Sequence, residues 1–234
     1  MRARDASTID GNGGALPGRQ RNPRGQGERL REEILAAADA MLTDAGDAGQ
    51  LSLRGVARRA GIAATSVYLH FPDVDHLKVA LVERGFADLD AARDAASAGA
   101  GLADLGASLL ARVRAFARWA VDHPARYRLM FGPDLPAALA YGAARSPTQG
   151  ALLSLARSIE RCQQARLSPQ GDDPLQIATL TFAAVHGLVM LRMDRPHFPW
   201  PPLDALVDET VRRLVGLNDA TAAHDRGRAD EAGV

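Results

Sequence analysis

Tyr68 and His70 are the side chains of this 234-residue sequence that most directly suggest chemistry. A phenol hydroxyl and an imidazole N–H can each donate a hydrogen bond to a phosphate oxygen. Both stand near the end of residues 51–71, which read LSLRGVARRAGIAATSVYLHF. Their placement points to contact with the sugar-phosphate backbone of a nucleic acid.

Two short helices are predicted to position these side chains. Ser52 can cap the first helix by accepting a hydrogen bond from a backbone N–H, and Val56 and Ala57 belong to its apolar stripe. Gly61 suits the left-handed residue that ends such a helix, because it has no Cβ. A second helix is then predicted over residues 64–71. Helices this short are unstable alone, so they must share a core with their neighbours, as in a helix-turn-helix that reads a DNA major groove.

The composition is typical of a packed helical protein. Apolar residues make up 47% of the chain and aromatic residues 5%, a balance that favours helices over sheets. The charges cancel, at 28 basic and 28 acidic residues, so net charge gives no argument for nucleic acid. Their distribution does, because residues 19–31 contain five arginines and a single acid, Glu28. Such a basic arm can reach phosphates or a minor groove; a solvated, disordered tail is the alternative.

Other classes of protein fit the sequence less well. Cys162 is the sole cysteine, so no intramolecular disulfide is possible. We find no apolar run as long as a membrane span and no signal-type segment, and we expect a cytoplasmic protein with no membrane partner. No catalytic, phosphate-binding or dinucleotide motif stands at a usable position, so we expect neither an enzyme nor a cofactor. His70 and His76, near Asp73 and Asp75, form no convincing metal-ligand spacing.

Hydrophobic periodicity and Gly/Pro breaks divide the chain into two helical domains. The first helix is predicted from Glu28 to Ala45, and the helix after the motif runs from Asp75 to about Arg93. A hinge is predicted at residues 97–101. The predicted organisation is a disordered basic arm (1–27), a helix-turn-helix domain (28–95), a larger helical domain (102–217) and a disordered tail (218–234).

Two helices near the C-terminus are candidates for a dimer interface. The predicted helix over residues 174–193 is apolar on most of its circumference, and residues 203–217 carry an apolar stripe. A helix that is apolar on nearly every side must be buried in its own domain or against a second subunit. Pairing with symmetry mates would form a four-helix bundle. Packing inside a monomer is the alternative.

The N-terminal residues resemble the TetR family of one-component bacterial regulators. The resemblance covers roughly residues 28–90 and depends on a combination of short groups: Ile34-Leu35, Ala37-Ala38, Ser52-Leu53-Arg54, Val56-Ala57, Ala60-Gly61-Ile62 and Tyr68-x-His70-Phe71. The resemblance implies an all-α homodimer whose N-terminal domains bind a palindromic operator in double-stranded DNA. It also implies that the larger C-terminal domains bind a small effector and form the dimer interface.

The C-terminal half is similar to one domain type within that family. Residues 122–132, DHPARYRLMFG, and the pair His186-Gly187 carry the similarity. That type is known by a Trp-His-Gly signature, and Phe182 stands here in place of the Trp.

The resemblance also implies roles for residues of the motif. Tyr68 and His70 would contact phosphates, and Ser52 and Arg54 would hold the backbone from the first helix. The groove-facing start of the recognition helix would be Ala64, Thr65 and Ser66, with Lys78 as a further phosphate contact. Ala63 stands where the family usually has a capping Ser or Thr, and Val74 stands where it often has Lys or Arg. Because Ala64 offers a methyl group alone, Thr65 is the best candidate for reading a base.

A cluster of aromatic and soft side chains marks the candidate effector site. Such side chains suit an apolar pocket with a few orienting polar groups, although core packing is the alternative for each of them. The candidates are Phe116, Trp119, His123, Tyr127, Met130, Phe131, His186 and Met190.

Taken together, the sequence predicts a ligand-responsive repressor that a small, largely apolar effector releases from its operator. One alternative is a DNA-binding dimer whose C-terminal domain is a protein-interaction scaffold without an effector. Activation of transcription is another, because the sign of regulation depends on where the operator lies.

Overall fold

The computed structural model describes residues 26–99, 104–132 and 147–217, which contain helices and no strands. The predicted all-α fold is confirmed. The N-terminal half comprises α1 (Gln26–Ala45), α2 (Leu53–Ala60), α3 (Ala64–Tyr68) and α4 (Val74–Gly99), with a 3-10 turn at Ala48–Gln50. The C-terminal half comprises α5 (Leu105–Asp122), α6 (Pro124–Phe131), α7 (Pro147–Gln164), α8 (Pro174–Asp194) and α9 (Leu203–Val215).

Local sequence signals explain where several helices begin and end. The Asp104 carboxylate accepts a hydrogen bond from the Ala107 N–H and caps α5. Asp173 caps α8 in the same way, with Pro174 at the first helical position. Gly216 ends α9 in the left-handed conformation. These contacts satisfy backbone groups that a helix end leaves unpaired.

Helices α1 to α4 share one small core. Its members at complete burial include Ile34, Leu42, Val56, Val67 and Leu77, which come from all four helices. Neither α2 nor α3 is long enough to be stable by itself. Their apolar faces are therefore held by α1 and α4, and this packing fixes the orientation of the motif.

Helix α4 joins the two halves of the molecule. It continues to Gly99, beyond the predicted end near Arg93, so the domain boundary predicted at residue 95 falls inside a helix. Its last turns, DAASAG, are rich in alanine, the best helix former. The helix packs along both α5 and α6. A shift of α4 would thus change packing contacts in both halves.

Helix α5 is the centre of the C-terminal half. It contacts α4, α6, α7, α8 and α9, and its buried face includes Leu109, Val113 and Ala117. Two ion pairs join it to α9, Arg114 with Asp208 and Arg118 with Asp204. The apolar face and the ion pairs together fix α9 against α5.

Helix α8 is long and apolar enough to cross a membrane, judged by length and composition. The expectation that no segment reaches such a length is therefore wrong. Residues 174–191 contain no Asp, Glu, Lys or Arg, and this composition makes the helix apolar enough to cross a membrane. Much of α8 is exposed on the single chain, with Leu180 and Leu191 each about half exposed.

Some predicted features lie outside the described residues. These are the basic arm up to residue 25, with Arg19, Arg21 and Arg24, and the tail from residue 218. Arg29 and Arg31 of the same basic stretch lie on α1. There Arg29 pairs with Glu33, and the Arg31 guanidinium lies over the Phe71 ring at 5.3 Å.

Candidate functional site

Helices α2 and α3 form the predicted helix-turn-helix. The Ser52 hydroxyl accepts a hydrogen bond from the Gly55 N–H at 3.2 Å and caps α2. Gly61 ends α2 at φ +68°, the left-handed region, and the Ile62 N–H then bonds back to the Ala57 carbonyl at 3.0 Å. Both features match the sequence prediction. They set the angle at which the chain enters α3.

Helix α3 is shorter than predicted. It ends at Tyr68, so the prediction of a helix over residues 64–71 is wrong in its last three residues. Pro72 disfavours helical geometry at the residue before it, and that residue, Phe71, is buried in the core. Ala63 provides no side-chain cap at the start of α3, as its type predicts.

One face of α3 is directed away from the core. Val67 is fully buried, whereas Thr65, Tyr68 and Leu69 are exposed, and they lie three and four residues apart as neighbours on one helix face do. Sequence reasoning missed Leu69, which is 76% exposed. Leucine is usually a core residue, and only the exposure of Leu69 in the structure shows that it lies on the surface.

The remaining predicted DNA contacts surround this face. Ser52 and Arg54 are exposed, and Ala64, Ser66, His70 and Lys78 are half-buried. Within the described ranges neither Arg54 nor Lys78 forms an ion pair, whereas Arg59 pairs with Asp44 at 2.7 Å. Arg54 and Lys78 therefore keep their charges available for a phosphate.

After α3, Asp73 caps the start of α4 and contacts His76. Asp73 accepts from the His76 N–H at 2.9 Å and meets the His76 Nδ1 at 2.8 Å. The backbone bond, followed by the side-chain bond, lowers the pKa of Asp73. In the described part of the chain no three His, Cys, Asp or Glu side chains converge to hold a metal ion.

The C-terminal half contains a packed aromatic cluster. Five side chains form it, and each ring contacts at least three of the others at centroid distances of 4.7 to 6.1 Å: Phe116, Tyr127, Phe131, Phe182 and His186. The Tyr127 hydroxyl lies 2.7 Å from His186 Nδ1. Burial raises the pKa of Tyr127 and lowers the pKa of His186, which favours the neutral phenol and the neutral imidazole. The tautomer of His186 decides which of the two groups donates the bond. Phe182 thus takes a place in the aromatic cluster beside His186.

The other predicted effector residues lie around this cluster. Trp119 stacks on His123 at 4.8 Å, and the His123 Nδ1 bonds the Trp119 carbonyl at 2.9 Å. Met130 is buried against Gly85 of α4, where an added Cβ would lie 2.5 Å from the Met130 sulfur. Met190 is half-buried on α8. Each of these side chains has a clear packing role.

A cavity of about 50 Å³, partly open to solvent, lies between α4, α5, α7 and α8. Phe116, one of the eight predicted effector residues, lines it. Phe182, which was not among those eight, lines it as well. Its other apolar lining residues include Leu109, Val113, Leu155 and Val185.

Two arginines also line this cavity, and sequence reasoning missed both. Arg93 is 6% exposed and donates to Asp90 at 2.9 Å, and Arg112 donates to Asp94 at 2.5 Å. Burial, and then the charge of Arg112, lower the pKa of Arg93. In the sequence these arginines look like residues of solvated helix faces. The cavity becomes visible once α4 and α5 are packed together.

Comparison with known families shows what this chain is similar to. A family model described as the tetracyclin repressor-like C-terminal domain matches residues 109–216. The HTH-type transcriptional regulator Mb1846 of Mycobacterium bovis is 34% identical over 123 residues, which are 51% of this chain and 49% of the regulator. The C-terminal half is thus similar to the C-terminal domain of tetracyclin repressor-like proteins. It spans about half the length of the curated relatives that it matches.

Solved structures share this helical architecture. A Rhodococcus sp. RHA1 protein titled as of unknown function is 28% identical, with a TM-score of 0.68 over 85% of this chain and 100% of that one. A regulatory protein of the tetR family from Rhodococcus RHA1 has a TM-score of 0.60 at 21% identity, over 82% and 99% of the two chains. The second likeness supports the fold alone.

Arg126 joins the two halves of the chain. From α6 it forms a two-pronged ion pair with Asp39 of α1, and its Nη1 lies 3.1 Å from Asp88 of α4. The hydrogen bond with Asp39 raises the pKa of Arg126. This cluster and the contact of Met130 with Gly85 join α6 to α1 and α4 of the N-terminal half.

Proposed function

We propose that this protein is a transcription regulator that binds a palindromic operator as a dimer. The observation that carries the proposal is the exposed face of α3, formed by Thr65, Tyr68 and Leu69 and anchored by buried Val67. Such a face fits a major groove, as the second helix of a helix-turn-helix does. Binding to operator DNA would take place in the cytoplasm.

The motif divides between backbone contact and base reading. Tyr68 and His70 would donate to phosphates and set the register of the protein on the duplex. Thr65 would read a base by its hydroxyl, or a thymine by its methyl group. Arg54 and Lys78 would add charge, so the affinity should fall as the salt concentration rises.

The exposed face of α8 supports a homodimer through α8 and α9. Leu180, Ala184, Gly187 and Leu191 stand three or four residues apart along this helix, and nothing lies within 4 Å of a Cβ built on Gly187. Packing within the monomer leaves this apolar stripe exposed, contrary to the monomer alternative. Small residues at its centre would let a symmetry-related helix approach closely.

The cavity supports a ligand-responsive repressor over the scaffold alternative. Its apolar lining and its opening to solvent suit a small effector, and a pure scaffold does not need these features. Because Arg93 of α4 lines it, a bound effector would bias the position of α4 and thus the spacing of the paired recognition helices. The effector must favour one of the two states for this to work.

The test of DNA binding is enrichment of genomic fragments on the purified full chain, followed by sequencing. We expect a shared palindrome with half-sites about one helical turn, roughly 34 Å, apart. Tyr68→Phe should weaken binding to specific and mutated operators alike, because the hydroxyl contacts a phosphate. Recovery of no common sequence would overturn the proposal, and a Tyr68→Phe variant with altered operator preference would refute the phosphate role.

The test of the dimer is the molar mass in solution of a Leu180→Glu variant. A buried, unpaired carboxylate is strongly unfavourable, so this change should produce monomers that lose operator affinity. Leu153→Glu is the matched control, since Leu153 is an exposed leucine of α7. An unchanged dimer mass for Leu180→Glu would place the interface elsewhere.

A further inference from the structure

The cavity holds more positive charge than an apolar ligand needs. The Arg93 guanidinium offers five N–H donors, and within the described residues it donates to Asp90. At 6% exposure, the residue is largely shielded from water. The nearby charge of Arg112 disfavours this cation further, as the lowered pKa of Arg93 indicates. An anion between the two guanidiniums would relieve both effects.

A buried hydroxyl in the same wall also lacks a partner. Thr181 of α8 is 1% exposed and lines the cavity, and its Oγ1 has no hydrogen-bond partner among the described residues. An unmade bond of a buried polar group is costly. A polar ligand atom in the cavity would give this hydroxyl its missing partner.

The cavity leads to a second, more polar cleft. The two share Arg112 and Ser158, and the cleft is also lined by Arg157 and Arg161, with Glu160 as its single acidic lining residue. Positive charge therefore surrounds the mouth. The opposite wall is apolar, formed by Val113, Phe116 and Val185 among others.

We propose that the cavity binds an anionic amphiphile, an apolar chain whose carboxylate or phosphate head lies between Arg93 and Arg112. The chain packs on Phe116 and Phe182, and the Thr181 hydroxyl bonds a polar atom of the ligand. This inference rests on the proposed ligand-sensing function and names the chemical class of its effector.

The same arginines connect the head group to α4. Arg93 binds Asp90, and Arg112 binds Asp94; both carboxylates belong to α4. An anionic head competes with these carboxylates for the guanidiniums. Binding therefore changes the Arg112–Asp94 contact, which holds the C-terminal end of α4 to α5.

Binding of matched probes to the full chain tests the head group. We would titrate saturated carboxylates of six to sixteen carbons, and for the tightest length its alcohol, amine and alkyl phosphate, by calorimetry below their micelle concentrations. Charged hydrogen bonds of this kind change affinity by about 10–100-fold. The carboxylate or the phosphate should bind at least about tenfold tighter than the alcohol, and the preferred anion identifies the natural head group.

Substitutions locate the head. Arg112→Gln should reduce the preference for anion over alcohol to about twofold or less, whereas Arg118→Gln, an exposed arginine of the same helix, should keep it. Failure of every probe to bind, equal affinity for acid and alcohol, or an unchanged preference in Arg112→Gln would overturn the inference.

Operator binding is measured separately, with and without the bound amphiphile. Tight, anion-selective binding that leaves operator affinity unchanged would support the ligand class and refute the repressor switch. Operator binding by a chain that takes up no amphiphile would support the DNA-binding function and refute the ligand class.

Discussion

The ion pairs of Arg126 provide the sharpest test of how the two halves are joined. We consider Arg126→Met, which keeps an apolar stem of similar length and removes the charge. The side chains of Arg126 and Asp39 are 23% and 17% exposed. Exposed pairs contribute about 0–1 kcal/mol and breaking a buried pair costs about 3–5 kcal/mol. A partly buried pair should lie between, at about 2 kcal/mol.

This loss is measurable by thermal unfolding. For a domain of this size 1 kcal/mol shifts Tm by about 2–4 °C, so Arg126→Met should lower Tm by about 4–8 °C. Protein concentration must be held constant, because Tm of a dimer depends on it. The operator affinity of the variant should respond less to effector, since α6 would be less firmly joined to α1.

Arg128→Met is the matched control on the same helix. Arg128 pairs with Asp194 at 3.0 Å, but the two side chains are 39% and 55% exposed. This change should lower the free energy of unfolding by less than about 1 kcal/mol. The double variant Arg126→Met/Asp39→Ala also removes the carboxylate that the first change leaves unpaired. It should recover part of the lost free energy of unfolding. Equal Tm shifts for Arg126→Met and Arg128→Met would refute the reasoning.

Three further predictions concern caps and protonation. Ser52→Ala removes the α2 cap and should cost about 1 kcal/mol by denaturant unfolding; an unchanged midpoint would contradict the capping role. Gly61→Ala forces a Cβ into the left-handed region and should cost about 1 kcal/mol, with Gly27→Ala of α1 as control. The pKa of His186 is lowered by burial, so stability should fall as pH drops below about 6.5. His186→Gln should flatten that part of the Tm–pH profile, and an unaltered slope would show that His186 does not titrate there.

Part of the candidate site could be read from sequence because its causes are local. Ser52 and Gly61 act on backbone groups a few residues away, so the cap and the left-handed stop follow from residue type and spacing. The end of α3 was predicted three residues late, because it depends on Phe71 being drawn into a core that the sequence does not display.

The effector half was predicted less completely. Phe116 was expected to line a pocket and does so, but Tyr127 and His186 pair within a packed cluster. Arg93 and Arg112 were missed, since each looks like an ordinary arginine of a solvated helix face. Their role depends on the packing of four helices, which periodicity alone does not specify.

The amino-acid sequence by itself determined that this protein is all-α and that α2 and α3 form a helix-turn-helix, because caps, stops and apolar periods act within one or two helical turns. The tertiary structure alone decided which charges become buried. It placed Arg126 between α1 and α4, and it enclosed Arg93 beside Arg112. These contacts join residues up to 87 positions apart, and a carboxylate or guanidinium acquires such a partner only when two helix faces meet.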